Sequence, residues 1–337
     1  MRRTRITRLA MVAALAVLIA PGTWLRDDPD ADTQDLVHLE PLDVAQPEGW
    51  PDGLTLEGAW NVGNPNPTFG GFSALRVDPA GTGFIAYSDR GFYAHLPRPP
   101  LVGNVPALTS AFPRDPLLGD PQDIESVTAD PASGAIWLGY ENHNAIRRYS
   151  PNGTSQFVQP EAMAEWSSNS GPEAMVRLAD GRFIVLAEAG GEGLLLTGDP
   201  LTSEEPLPFS IKPPGDFLPT DMAELPDGRV LILLRDLRLA LPPFASLLMV
   251  ADPDAIREGE EWPLTELAVI DDAGLRENYE GMAVEPDGTG AATVWLIADD
   301  NQSVLQRTLL LKLRYAYAAA GTAGKQTARE AQSPAGR

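Results

Sequence analysis

Residues 124–141 read IESVTADPASGAIWLGYE. Val127 and Ala129 alternate with Ser126 and Thr128, the period-2 pattern of a half-buried strand. Asp130-Pro131-Ala132-Ser133-Gly134 is turn chemistry, because proline presets φ and glycine accepts the left-handed corner. Ile136-Trp137-Leu138-Gly139-Tyr140 follows as a second, more deeply buried strand. The unit is a β-hairpin with a carboxylate at each end, Glu125 and Glu141.

The same unit recurs as FSALRVDPAGTGFIAYSD over 72–89, PEAMVRLADGRFIVLAE over 172–188, TDMAELPDGRVLILLRD over 220–236 and YEGMAVEPDGTGAATVWLIADD over 279–300. A two-strand unit returning about every 50 residues is the signature of β-propeller blades. The expected fold is all-β, a propeller of five to six mostly four-stranded antiparallel blades over residues 54–317. Ala145–Tyr149 and Leu247–Val250 read as third strands, and Leu267–Ile270 as a fourth. Leu54–Trp60 and Thr308–Tyr315 read as strands able to pair and close the ring. Five repeats nearly fill this span, and a sixth blade assembled from the terminal strands stays open. Helices are expected only as short insertions, at Pro160–Trp166 and Pro253–Arg257.

The flanks differ in composition. Residues 1–22 combine Arg2, Arg3, Arg5 and Arg8 with the apolar stretch Leu9–Ala20 and a small-residue exit, the pattern of a secretory signal. Export to the periplasm or medium is therefore expected, with the segment either cleaved or kept as an anchor. Residues 23–53 read as a linker and N-terminal segment, and 318–337 as a disordered tail.

The chain of 337 residues has no cysteine and carries a net charge of −22. That excludes disulfides, thiolate nucleophiles and thiolate metal sites. It also disfavours nucleic acid and anionic lipid as partners and favours cations. A monomer without membrane insertion after signal cleavage is the expectation.

Aligned by hairpin, the second positions are Ser73, Glu125, Glu173, Asp221 and Glu280. Innermost strands of a propeller line its channel, so Glu125, Glu173, Asp221 and Glu280 are expected to form one ring. Asp89, Glu141, Glu188 and either Asp299 or Asp300 end the second strands and form a second set, of which Asp300 is the one assigned. Crowded carboxylates raise one another's pKa unless protons or a cation intervene. Oxygen ligands without thiols point to Ca2+, or another divalent cation such as Mg2+. Gln122, Asn142, Asn169 and Asn301 could add neutral oxygens. Arg90 and Arg235 stand where other hairpins end in an acid, placed either to hold an anionic substrate group or to pair with the ring. His143, two residues past Glu141, is the candidate general base, with His95 expected on the same face.

The strings GGFSALRVDP with IAYSDRG, DIESVTADP, NSGPEAMVRLADGRFIVLAE, ENYEGMAVEPDG with WLIADDN, and TLLLKLR resemble the phytase-like family, also described as "esterase-like activity of phytase". The likeness spans roughly residues 54–315. It implies an exported propeller related to calcium-dependent phytases, whose acidic channel binds Ca2+ that in turn binds phosphate. Lys212 is the only lysine of the repeats before Lys312, a departure that argues against a highly phosphorylated substrate. The expected function is a divalent-cation-dependent hydrolase of a small ester or phosphoester, with lactone hydrolysis as a variant. The alternative is a non-catalytic periplasmic propeller that binds a ligand or partner.

Overall fold

The computed structural model describes residues 35–100, 103–107, 109–113, 123–167, 170–203, 205–288 and 290–317. The expected signal and tail, together with Gln122 and Asn169, lie outside these described residues. Strands β1 (Leu36–Pro41) and β2 (Leu54–Gly63) come first. Blade 1 follows with β3 (Phe72–Val77), β4 (Gly83–Ser88), β5 (Phe92–Pro97) and β7 (Ser110–Ala111), and the short β6 (Val105–Pro106), between β5 and β7 in the chain, lies outside that sheet. Blade 2 is β8 (Ile124–Ala129), β9 (Ile136–Tyr140), β10 (Ala145–Tyr149) and β11 (Ser155–Val158). Blade 3 is β12 (Pro172–Arg177), β13 (Phe183–Ala187), β14 (Glu192–Leu196) and β15 (Leu207–Ser210). Blade 4 is β16 (Leu218–Glu224), β17 (Val230–Leu237), β18 (Phe244–Ala251) and β19 (Leu264–Ile270), and β20 (Asn278–Pro286), β21 (Ala292–Asp299) and β22 (Leu309–Tyr315) open blade 5.

The blades are antiparallel, and all five hairpins read from the sequence form the two inner strands of successive blades. The third strands, the fourth strand near Leu267 and two short 3-10 turns, Glu161–Met163 and Pro253–Ala255, also fall where the pattern puts them. β22 pairs with β21 on one side and β2 on the other, so Leu311 faces both Leu296 and Ala59. The terminal strands thus complete the fifth blade and do not make a sixth. Residues 36–41, read as linker, instead form β1, which extends this sheet outward to β6. The innermost strands touch in the closed order β3, β8, β12, β16, β20 and back to β3.

Both faces of a blade are apolar because each packs on a neighbour, which is why second strands such as FIVLA and VLILL read as continuous hydrophobic runs. One buried cluster fills each seam. Tyr87 and Leu138 lie between blades 1 and 2, Trp137 and Phe183 between 2 and 3, and Ile184 and Ile232 between 3 and 4. Leu233 and Leu296 fill the fourth seam, and Phe84 and Trp295 the closing one. At that seam Gly281 comes so near Ala74 that a Cβ would lie 2.8 Å from backbone atoms, so only glycine lets blades 5 and 1 meet.

Trp295 is 1% exposed, packs at a tilt against Phe84 with ring centroids 4.8 Å apart and donates from Nε1 to Glu285 at 3.0 Å. Trp295→Ala should therefore cost about 3–5 kcal/mol in urea unfolding, as deletion of a large core side chain does. A loss below about 1 kcal/mol would mean that the closing seam does not carry the ring.

Candidate functional site

Each inner strand starts, and each second strand ends, at the same mouth of the channel. The inner strands share one irregularity there. Pairing slips by a residue at Ser73, Glu125, Glu173, Thr220 and Glu280, leaving each as a bulge opposite no partner. Bulge hydroxyls reach the next blade: Ser73 Oγ donates to the Ile124 carbonyl at 2.6 Å, and Thr220 Oγ1 to the Tyr279 carbonyl at 3.2 Å. Bulge carboxylates instead turn toward the mouth, joined there by Asp89, Glu141, Glu188 and Asp299 from the second-strand ends.

The mouth has two unlike walls. On blades 3 to 5, Arg235 at the end of β17 lies 3.0 Å from Glu188, 2.9 Å from Glu280 and 3.9 Å from Glu173. Its Nη1 also approaches Asn278 Oδ1 at 3.3 Å. Burial works against the Arg235 charge, yet Glu280, Glu173 and Glu188 raise its pKa. Blades 1 and 2 form the other wall. There Asp123, Glu125 and Glu141 each present a carboxylate oxygen, all within 4.8 Å of one another, and all three are half-buried.

Local backbone builds that second wall. Asp123 sits at φ +54°, a left-handed value uncommon for a residue with a side chain, just before β8. Its carbonyl accepts from Glu141 N at 3.1 Å, while Ile124 N donates to the Asp89 carbonyl at 3.1 Å. Glu141 opens the 3-10 turn Glu141–His143, which Asn144 ends at φ +45° while its Nδ2 donates to the carbonyls of Met163 and Trp166. Gly171 presses on this turn so closely that a Cβ would stand 2.4 Å from Glu141 Cα. The acid is positioned by its neighbours' backbone and not by its own rotamer alone.

Burial is the largest cause of every raised carboxyl pKa here. Glu125 is pushed well above the carboxylate range by burial and then by Glu173, Glu280, Asp123 and Asp89. Asp299 is raised by burial and then by Glu280 and Asp89. Glu173 and Glu280 are raised by burial against the opposing pull of Arg235. Burial pushes Glu141 up to about 7, with Asp123 and Glu188 adding to it. The Asp123 and Glu141 carboxyls hydrogen-bond to each other, so this pair shares a proton when no cation is present.

The expected ring of Glu125, Glu173, Asp221 and Glu280 is thus corrected at one member. Counted back from the Asp-Gly turns, Glu173 stands to Gly181, and Glu280 to Gly288, as Thr220 stands to Gly228. Asp221, one residue on, is buried and accepts from Met222 N at 2.7 Å and Met282 N at 2.6 Å, clamping blade 4 to blade 5. Asp300 is likewise taken up by a seam, accepting from Gly71 N, Gln302 N and Thr308 Oγ1, and Asp299 is the channel acid. Arg90 donates from Nη2 to the carbonyls of Thr68 and Gly70 and lies 3.7 Å from Asp89, so it braces a loop. His143 stays beside the acidic wall near Asp123, and its buried Nδ1 has no hydrogen-bond partner among the described residues. His95 is instead paired with Ile85 in the middle of β4, where it acts on Asp78 at the strand's far end. Asp123 was not among the expected ligands, because it precedes the hairpin and lies outside its alternation.

A model of the phytase-like family, described as esterase-like activity of phytase, matches residues 67–302. No curated protein gives a match. Among solved structures, a streptogramin B lyase is 10% identical, covering 84% of this chain and 99% of its own, with a TM-score of 0.43. A virginiamycin B lyase from Staphylococcus aureus is 12% identical over 82% and 99%, with a TM-score of 0.46. A luciferin-regenerating enzyme is 10% identical over 83% and 91%, with a TM-score of 0.43.

Glu141 holds a proton up to about pH 7 in the folded chain, whereas the ordinary value is 4.5. Between those values the native state binds a proton that the unfolded chain releases, so stability falls as pH rises and levels off above about 7. The melting temperature in chelator should drop from pH 5 to pH 7.5, and Glu141→Gln should flatten that slope. Removing the other wall's counter-charge is expected to be costlier. Arg235→Met should lower stability by about 3–5 kcal/mol at pH 8 in urea unfolding, with a smaller loss as pH falls, because burial raises the pKa of Glu173 and Glu280 and favours their neutral forms.

Proposed function

The chain belongs to the phytase-like family, and from that premise we propose that it is a divalent-cation-dependent hydrolase of esters or phosphoesters, working at the acidic mouth of its channel. The observation that carries this is the division of the mouth. Arg235 pairs with the carboxylates of blades 3 to 5, while Asp123, Glu125 and Glu141 converge within 4.8 Å with a proton between Asp123 and Glu141. Such a set suits a hard cation. Carboxylates can bind in one- or two-oxygen fashion, and Ca2+ takes six to eight oxygens in irregular geometry, leaving room for water and substrate. Mg2+ demands a stricter octahedron and fits a bulge-borne set less well.

Asp123, Glu125 and Glu141 would hold the ion. When bound, it would polarise the ester or phosphoryl oxygen and lower the pKa of a water beside it. The chain's own groups set the conditions for this. The proton between Asp123 and Glu141 has to leave before both can serve as ligands, so binding strengthens as pH rises through about 7. His143 follows Glu141 in the same 3-10 turn and is the candidate general base of this reading. Arg235 keeps the opposite carboxylates from competing for the cation. Gly171 and the Asn144 cap hold the turn that carries both Glu141 and His143. Export through the N-terminal signal is part of the same proposal, since extracellular calcium is abundant enough to fill a site of modest affinity.

A non-catalytic ligand-binding propeller would share the cation and lack turnover, so two measurements separate the readings. Calorimetric titration of chelator-treated protein should give saturable Ca2+ binding, weakened at least tenfold by Glu125→Gln or Asp123→Asn. Hydrolysis of a p-nitrophenyl ester or phosphate should disappear in chelator and return with Ca2+. Absence of saturable Ca2+, Mg2+ or Mn2+ binding up to millimolar concentrations would discard the site. Binding without hydrolysis would leave the ligand-binding propeller.

A further inference from the structure

At the face opposite the mouth, the seam between blades 2 and 3 opens into a cavity of about 420 Å3. That volume lies within the range of small-molecule sites. Inner strands end and second strands begin at this face, so Asp130 after β8, Arg177 at the end of β12 and Phe183 at the start of β13 meet there. Arg148 and Ser150, near the end of β10, and Asp199, beyond β14, complete the wall, and Trp137 lies in its floor.

The lining divides into a closed pair and an open one. Asp199 receives Trp137 Nε1 at 2.9 Å, Leu201 N at 3.0 Å and Arg148 Nη1, while Arg148 Nη2 donates to Gln156. These groups satisfy one another and stiffen the wall. Arg177 and Asp130 do not. Arg177 Nη1 donates to the Leu178 carbonyl at 3.2 Å, but Nη2 stands 3.6 Å from Asp130 Oδ1, beyond hydrogen-bond length. Asp130 accepts from Ala132 N and Ser133 Oγ, one bond to each carboxylate oxygen, and each oxygen keeps a lone pair to spare. A donor and an acceptor thus stand side by side at the cavity wall without being joined, on side chains only 20% and 17% exposed.

Charge decides what joins them. Among the described residues, two guanidinium groups and two carboxylates line the cavity and balance. An anion has to compete with Asp130 and Asp199 for the arginines, and Asp180 and Glu224, whose carboxyls also feel Arg177, add to the repulsion. A cation meets the two arginines. An apolar ligand strips water from these polar groups and returns no hydrogen bond. A hydroxyl accepts from Arg177 and donates to Asp130 at once, and a neutral ligand with several hydroxyls has others left for Ser133 and Ser150. From this balance we propose that the cavity binds a neutral sugar, a mono- or disaccharide, with one hydroxyl bridging Arg177 and Asp130. The site is separate from the acidic mouth and does not depend on the hydrolase reading.

The test is saturation-transfer difference NMR of the full chain with galactose, mannose, maltose and cellobiose. At least one should give a saturable signal with a dissociation constant in the millimolar range, because exchanging water for sugar hydroxyls gains little per hydrogen bond. Ser150→Trp, which fills the cavity from its rim, should weaken that binding by about tenfold or more, with circular dichroism showing the variant folded. If it does not fold, Arg177→Met, which removes one half of the bridge, should give the same loss. Glu125→Gln should leave the signal intact, which separates this site from the mouth. Absence of signal from all four sugars, or an equal signal from the folded variant, would overturn the proposal. A stronger response to galacturonate than to galactose, lost in the variant, would overturn it in favour of an anion site.

Discussion

Repulsion among carboxylates at the channel mouth is the constraint on which the rest of this molecule depends. A propeller sets equivalent positions of successive blades around one axis, so an acid that suits one bulge meets its counterparts from others. Two unit charges 4 Å apart interact by about 4 kcal/mol at the effective dielectric of a protein surface, a large fraction of a domain's stability. The structure answers in three ways. Arg235 gathers Glu173, Glu188 and Glu280; backbone amides receive Asp221 and Asp299; and one proton joins Asp123 to Glu141. The last answer is reversible near pH 7, and on the proposed reading a cation takes the proton's place there.

The sequence carried the architecture because a blade repeats. Each hairpin contains a turn with fixed chemistry and a second strand buried on both sides, and the eye needs only periodicity to see both. The closure was legible for a related reason: Leu54–Trp60 and Thr308–Tyr315 each lack a partner within the repeats. The mouth was less legible. Which acids share a neighbourhood depends on a one-residue slip in each inner strand, and periodicity says nothing about a slip. Reading Asp221 in place of Thr220 moves a carboxylate from the channel to the seam between blades 4 and 5, where two backbone amides take it. Asp123 escaped notice because its side chain enters the site through a left-handed residue outside the strand pattern. A count back from the Asp-Gly turns would have found Thr220; no local signal would have found Asp123.

The bulges also explain how stability and site are built from the same residues. Ser73 and Thr220 use the bulge to donate a hydroxyl to the next blade's inner strand, and Ser126, one residue past the Glu125 bulge, donates to Pro172. Those bonds hold neighbouring inner strands at the spacing that Gly281 and Gly171 also require. Where the bulge residue is glutamate its own side chain faces the axis, and in blade 2 the neighbouring Ser126 makes the inter-blade bond. Fold and chemistry thus share one ring, hydroxyls in blades 1 and 4 and carboxylates in blades 2, 3 and 5.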